Sequence, residues 1–484
     1  MLKFRYFNNL QISSKKYIHF VGIGGSGMGP IAIILAQQGY LITGSDINPN
    51  VITEYLISLG VTIYFTHHSS HIQQAYVVVI STAIDHNNPE IRGAYEAHIP
   101  VISRAEMLSE LIKDRYSIAV SGTHGKTTTT ALISTIYMKA GLDPTFINGG
   151  ILKDYGTCSH LGTSKYLIFE ADESDASFLC LHPIVAVITN INPEHMETYK
   201  GKITNLQLSF INFLHNLPEW GHIIICLDNM FIRQIWPLIQ GTRKITTYGF
   251  SRDADICITN YYQKNLQSYF ILRRKNKINL SICLNLPGEH NALNATGAIA
   301  VATEEGIHDT VILQSLQYYQ GTVRRFDFLG RFPLHNFNGK KGSVLIVDDY
   351  GHHPMELSVT IKTVRVSWPQ KRLVMIFQPH RYTRTRNLYN EFISILSQVD
   401  ILFLLEIDSA GEKPISGVHS NDICTTINNR YKKRKKVIFV ETHYSLINLL
   451  YFFLNDNDVI LIQGAGNIKT ISEMIIANLV KTFQ

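Results

Sequence analysis

The sequence predicts an α/β protein of three domains, each built on a mostly parallel sheet. Three observations carry that expectation. Runs of four or five apolar residues recur along the chain, each ending in a polar or glycine-bearing loop and followed by a helix-forming stretch. Two of those loops, near residues 22 and 122, are rich in glycine and lead straight into helices. At 484 residues the chain is also too long for one ordinary hydrophobic core. Boundaries are expected near 115 and 325, giving domains 1–115, 116–325 and 326–484.

In the first domain, Tyr17-Ile18-His19-Phe20-Val21 reads as a strand running into Gly22-Ile23-Gly24-Gly25-Ser26-Gly27. Gly22, Gly24 and Gly27 match G-x-G-x-x-G, and a helix follows from Pro30 to Gln37. A second strand over 40–45 ends at Asp46, about twenty residues past the last glycine, where an acid would meet a ribose hydroxyl. This is a Rossmann-like sheet, and the pattern suits NAD or any other diphosphate at a helix N-terminus. Further strands, Tyr76–Ile80 and Val101-Ile102, end at Ser81-Thr82 and at Ser103-Arg104. Ser81, Thr82 and Arg104 therefore sit where such sheets bind ligands, although capping explains each equally well.

The middle domain opens with the strand Tyr116–Val120 and the loop Ser121-Gly122-Thr123-His124-Gly125-Lys126-Thr127-Thr128. Strand, glycine turn, Lys-Thr and helix form a shortened phosphate-binding loop, with Val120 where the longer form has glycine. Lys126 would reach the outer phosphates of a nucleoside triphosphate and the Thr127 hydroxyl would hold Mg2+. The strand Tyr166–Phe169 ends at Glu170, the expected second Mg2+ holder. Asp172 and Glu173 beyond it read equally well as exposed turn residues. The strand Ile184–Ile188 leads to Asn192-Pro193-Glu194-His195-Met196-Glu197, where His195 is either a metal ligand or a hydrogen-bonded loop histidine. Pro287-Gly288-Glu289-His290-Asn291 precedes a helix expected from Ala295 to Glu305. Asn291 and Asn294 share one helical face, fit for an adenine edge or for capping.

The last domain repeats strand, polar loop and helix, a second Rossmann-like α/β arrangement. Its strands end at Asp348-Asp349-Tyr350-Gly351-His352-His353, Gln378-Pro379-His380-Arg381-Tyr382-Thr383-Arg384, Glu406 and Gly464-Ala465-Gly466-Asn467. His352, His353, Arg381 and Arg384 would gather on one rim if those strands are neighbours, and two arginines can clamp a carboxylate or phosphate.

Composition narrows the function classes. Hydrophobic residues at 45% and charged residues at 17% describe a packed globular chain rather than a disordered one. A net charge of +6 suits an anionic small-molecule substrate, and no nucleic-acid partner is expected. The basic run Arg430–Lys436 reads as a solvated loop. Six scattered cysteines without a Cys-x-x-Cys pair point to reduced thiols, hence a cytoplasmic setting. No apolar run nears the ~18 residues that span a bilayer, and Met1–Arg5 lacks a secretory signal. A soluble monomer or weak homodimer without a membrane partner is expected.

Taken in order, Gly-Thr-His-Gly-Lys-Thr-Thr, Glu-Ala-Asp-Glu-Ser-Asp, Asn-x-x-x-Glu-His-Met-Glu-Thr-Tyr and His-Asn-Ala-Leu-Asn resemble the motifs of the Mur ligase family. Those enzymes are ATP-dependent amide ligases of peptidoglycan precursor synthesis. Gly-Ile-Gly-Gly-Ser-Gly-Met, Asp-Asp-Tyr-Gly-His-His-Pro and Gln-Pro-His-Arg-x-Thr-Arg make the chain most similar to the alanine-adding branch. The resemblance implies a central P-loop ATPase-type domain with ATP contacts at Gly122, Thr123, His124, Gly125, Lys126, Thr127, Thr128, His290, Asn291 and Arg325. It further implies Mg2+ (or Mn2+) on Thr127 and Glu170, a second metal position at His195, and catalytic roles for Lys126, Glu170 and His195. A UDP-sugar, UDP-N-acetylmuramate, would take the place of NAD at Gly22, Gly24, Gly25, Gly27, Asp46, Ser81 and Arg104. Tyr350, His352, Arg381 and Arg384 would serve L-alanine and the muramyl end. The family usually has Asp where Glu194 and Glu197 stand and Gly where Val323 stands. Rival expectations are a tripeptide-recycling ligase of the same family, an NAD-dependent oxidoreductase, and a non-catalytic nucleotide switch.

Overall fold

A computed structural model describes residues 17–241, 243–334, 341–431, 436–466 and 468–480. The N-terminal Met1–Arg5, most of the basic run (432–435) and Asn467 lie outside the described residues. Three sheets form a three-domain α/β architecture. The described residues up to Tyr262, with Ser268–Gln320, make one compact unit; Gln263–Gln267 and the residues from Gly321 onward make a second.

The first sheet holds β1 (Tyr17–Val21), β2 (Leu41–Ser45), β3 (Thr62–Tyr64), β4 (Ala75–Ile80) and β5 (Val101–Ser103). Its order is β3-β2-β1-β4-β5 and every pairing is parallel. The chain reverses direction across the sheet between β1 and β4, so the glycine loop after β1 lies at the switch point where open α/β sheets bind ligands. Beneath that loop lies a buried polar knot. Glu90 is wholly buried, and its carboxylate accepts from Ser45 Oγ at 2.5 Å and lies 2.9 and 2.8 Å from the Nδ1 atoms of His67 and His71. His19 Nε2 stands 3.7 Å away. Burial alone would raise the Glu90 carboxyl, yet the surrounding donors outweigh it and bring it down to about 2.

The second sheet has ten strands: β6 (Tyr116–Ser121), β7 (Thr145–Leu152), β8 (Thr157–His160), β9 (Tyr166–Glu170), β10 (Val185–Ile188), β11 (His222–Cys226), β12 (Lys244–Gly249), β13 (Ile256–Lys264), β14 (Gln267–Arg274) and β15 (Leu280–Leu284). β6 is central, paired in parallel with β10 on one side and β9 on the other. Val120 lies opposite Glu170 and Ser121 opposite Ile188, so three strand ends open onto one place. The antiparallel pairs β7–β8 and β14–β15 flank this parallel centre and were not foreseen. β13 alternates half-buried and exposed residues from Thr259 onward, the pattern of a strand with one wet face. A single apolar cluster runs from Phe20 and Ile31 of the first sheet's layers to Phe210 and Phe213 of the second's, which is why both sheets belong to one unit.

The third sheet holds β16 (Asp327–Pro333), β17 (Ser343–Asp349), β18 (Leu373–Phe377), β19 (Ile401–Leu405), β20 (Lys436–Val440) and β21 (Val459–Gln463), in the order β16-β17-β21-β18-β19-β20. All pairings are parallel except that of edge strand β16. β18, β19 and β21 are buried throughout, as strands covered by helices on both faces must be. All six cysteines are free thiols. Among the described residues no helix is long and apolar enough to cross a membrane.

Candidate active site

The loop after β6 is shaped by two glycines whose replacement would be strained. Gly122 has φ +133°, and a Cβ there would collide with Thr189 Oγ1 and fall 2.8 Å from the Asn190 carbonyl. Gly125 has φ +83°, and its Cβ would collide with Asn294 Oδ1 and lie 3.2 Å from Asn294 Cγ. The segment after β10 grips the loop from one side. Thr123 N–H donates to the Asn190 carbonyl and His124 N–H to Asn190 Oδ1, while the His124 carbonyl accepts from Thr189 Oγ1 and Asn190 Nδ2. These two amides anchor the loop to the segment after β10. The helix Lys126–Lys139 starts immediately after Gly125, and its first amides have no partner within the helix. They are the donors such a turn offers to an anion.

Thr127 Oγ1 donates to Glu170 Oε2 at 3.2 Å, and the other Glu170 oxygen accepts from Gly149 N–H. A hydroxyl and a carboxylate side by side are the oxygen donors that Mg2+ prefers, so this pair fits the expected metal. The residues beyond Glu170 correct the turn reading. Glu173 is 2% exposed and accepts from Lys126 Nζ at 2.6 Å, and Asp172 is half-buried with Oδ1 at 3.9 Å from the same ammonium. Burial alone would lower the Lys126 pKa, but the Glu173 and Asp172 carboxylates hold it above the usual lysine value. Burial raises the Glu173 carboxyl, with Lys126 pulling the other way.

The Glu194–Lys200 segment joins the same place. Thr198 Oγ1 donates to the Ser174 carbonyl at 2.8 Å, and the Tyr199 hydroxyl donates to the Glu173 carbonyl. His195, half-buried with φ 52°, stands in this segment. Glu194 lies 2.8 Å from His124 Nε2, so the longer carboxylate reaches the phosphate loop. The later helix spans Glu289–Glu304, six residues earlier at its start than expected, because Gly288 at φ 99° lets the chain turn into it. His290, Asn291 and Asn294 therefore occupy its first turns. Asn291 is buried, donates to the Pro287 carbonyl and accepts from Asn294 Nδ2, which fixes the first turns of this helix.

At the first sheet's rim, Asp46 Oδ2 accepts from Gly24 N–H at 2.8 Å and Oδ1 from Ile47 and Asn48. Gly22 and Ile23 donate to the Ser45 carbonyl, so the end of β2 holds the glycine loop in shape. Gly25 N–H closes back onto Gly22. A Cβ on Gly27 would lie 3.0–3.4 Å from the Arg104 side chain, which therefore lies across that glycine. Arg104 opens the helix Arg104–Ile112 and extends to Asp172 at 3.8 Å. Thr82 Oγ1 donates to Asp175 Oδ2, whereas Ser81 Oγ accepts from Ala83 N–H and serves the local turn.

In the second unit, Tyr350 and His352 rings meet edge-on with centroids 5.7 Å apart, and His352 lies 5.5 Å from His380. Arg384 donates to the His380 carbonyl. His380 was not singled out from the sequence, though it stands in the same motif as Arg381 and Arg384. Burial, reinforced by Arg384 and His380 and opposed by Glu356, pushes His352 down to about 4, so it is neutral at pH 7. His353 caps the helix Pro354–Ser367, its Nδ1 accepting from Met355 N–H. Arg381 is exposed at φ 72°, with its N–H on the Asp408 carbonyl. Arg325 lies over Tyr350 at 5.0 Å, placing a residue expected at ATP beside the aromatic of this cluster. Val323 has no left-handed φ; Arg324 (60°) and Phe326 (45°) carry that strain, so the usual glycine is not required at 323.

Three protein-family models match successive stretches: Mur ligase family, catalytic domain, over residues 17–116; Mur ligase middle domain over 120–302; and Mur ligase, glutamate ligase domain, over 330–466. The chain belongs to the Mur ligase family. Its members are ATP-dependent amide ligases, and the glycine-rich turns at 22 and 122 fall in the first and second of the matched domains. The chain is similar to the UDP-N-acetylmuramate–alanine ligase of Thermotoga maritima, at 26% identity and a TM-score of 0.80, over 95% of this chain and 98% of that one. It is also similar in fold to a murein peptide ligase from Psychrobacter arcticus, at 22% identity and a TM-score of 0.71, over 97% and 100% of the two chains. A third Mur ligase, MurF of Thermotoga maritima in complex with ADP, shares the fold at 16% identity and a TM-score of 0.60, over 90% and 95%. The family match leaves the oxidoreductase reading of Gly22–Gly27 without support.

Proposed function

We propose that this Mur ligase joins L-alanine to the lactyl carboxylate of UDP-N-acetylmuramate at the expense of ATP. The observation that carries the reading is the near end-to-end likeness to the Thermotoga maritima alanine ligase. It is supported by Lys126 at the start of the helix after the glycine turn and by the Thr127–Glu170 pair beside it. The carboxylate attacks the γ-phosphorus, ADP departs, and the amino group of alanine displaces phosphate from the resulting acyl phosphate.

In this reading the Lys126 ammonium steadies the transferring phosphoryl group, since such transfer depends on positioning and charge neutralisation. Thr127 and Glu170 would hold Mg2+, which when bound neutralises phosphate charge, and His195 would stand at a second metal position. The glycine loop of residues 22–27, held by Asp46 and overlaid by Arg104, takes the UDP-sugar diphosphate. His290, Asn291 and Arg325 serve the nucleotide. Tyr350, neutral His352, Arg381 and Arg384 take the amino acid and the muramyl end. The domain limits proposed are residues 115 and 325.

An ADP-release assay with UDP-N-acetylmuramate and a panel of amino acids tests this. Release that requires both the sugar nucleotide and L-alanine is expected. Release with the intact tripeptide but not with alanine would instead assign the recycling reaction, and release needing neither would remove the ligase reading.

A further inference from the structure

Among the acids after β9, Glu173 has no place in the reaction as described so far, although it is the most deeply buried of them. We propose that Glu173 is a positioning residue for phosphoryl transfer, holding the Lys126 ammonium in a fixed orientation at the mouth of the phosphate loop. The inference rests on the phosphoryl-transfer reading of that loop.

The geometry is that of a clamp. Lys126 Nζ donates to Glu173 Oε2 at 2.6 Å and to the Gly122 carbonyl at 2.8 Å, with a looser 3.5 Å contact to the Thr123 carbonyl. An ammonium carries three tetrahedral donors, so two short bonds fix the direction of the third. The long contact to Thr123 is the one a phosphate oxygen would displace. Without Glu173 the lysine's four-carbon stem would be free to sample several rotamers.

Glu173 is itself held rigidly. The Tyr199 hydroxyl and Ala176 N–H both donate to its carbonyl, and the next carbonyl, Ser174, accepts from Thr198. Glu170, three residues earlier, turns toward Thr127 and Gly149 instead. The two glutamates thus divide the work: one faces the hydroxyl expected to hold metal, the other faces the lysine. Asp172, at 3.9 Å from Nζ and shared with Arg104, adds charge but no short bond.

Steady-state ligase kinetics on the full chain test the assignment. Glu173→Gln keeps the shape but loses the charge. It is expected to lower kcat about 10–100-fold while the ATP KM stays within about threefold. In a Lys126→Ala background the same substitution should change kcat by less than about twofold, because the group it positions is gone. Equal losses in both backgrounds, or normal kcat once Mg2+ is raised, would overturn the proposal in favour of a packing or metal-ligand role. If Glu173→Gln does not fold, Tyr199→Phe removes the hydroxyl clamp. A kcat drop of roughly 3–10-fold at unchanged ATP KM is then expected, and unchanged kcat overturns it. Should the wild type release no ADP with any amino acid, the ligase reading fails separately, and the same comparisons are made on basal ATP hydrolysis.

Discussion

The buried knot under the glycine loop makes a stability prediction that can be worked through. Glu90 is fully buried, and its carboxylate is held by Ser45, His67, His71 and His19. Its pKa falls from 4.5 in the unfolded chain to about 2 in the folded one. A depressed carboxyl pKa means that the unfolded state binds the proton first as pH falls. Its stabilisation is therefore complete above about pH 4.5 and is lost as pH drops toward 2. The full difference corresponds to roughly 3 kcal/mol, at 1.36 kcal/mol per pH unit for one proton. About 2 kcal/mol of it should disappear between pH 4.5 and 3, a range open to measurement. Urea unfolding followed from pH 7 to pH 3 in wild type and Glu90→Gln is the assay. The variant should be less stable by about 2–3 kcal/mol at pH 7, and the gap should close to under about 1 kcal/mol at pH 3. A gap that stays constant with pH would show that Glu90 is not held as an anion, and the reasoning about the knot would fail.

Other consequences follow from the same physical arguments. Lys126→Ala should retain its fold but lose about 10²–10³-fold in ligase turnover, as removal of an oriented charge-stabilising donor does; near-normal ADP release would contradict its assigned role. Gly125→Ala should cost about 2–4 kcal/mol, combining left-handed backbone with the collision at Asn294, and thermal unfolding checks this. In the second unit, Arg324 Nε lies 3.3 Å from Asp348, and its guanidinium also donates to the Gly464 carbonyl. Arg324→Ala should therefore destabilise by about 3–5 kcal/mol, since it strands a buried carboxylate, and adding Asp348→Asn should recover part of that loss in denaturant titrations.

Much of the candidate site was legible because its residue pattern is local in sequence. A strand that ends in Gly122, Gly125, Lys126 and Thr127 announces itself through residue type and spacing, and so does Glu170 at the end of its own strand. Glu173 was not legible. A run of Glu-Ala-Asp-Glu-Ser-Asp looks like an exposed turn until a lysine 47 residues earlier is placed 2.6 Å away. Asn294 was hidden for a similar reason: its spacing suggests a cap, but its contact is with Gly125 on another element.

By itself the sequence determined the kinds of elements and the two glycine turns. Apolar periodicity and the absence of a Cβ act within a few residues, so they need no knowledge of the rest of the chain. Tertiary structure alone decided which charges meet. Whether Glu90 is an anion among histidines, or Glu173 a partner of Lys126, depends on strands and loops far apart in sequence. Burial then makes the outcome consequential, because a carboxylate removed from water keeps its charge only where the fold supplies donors to hold it.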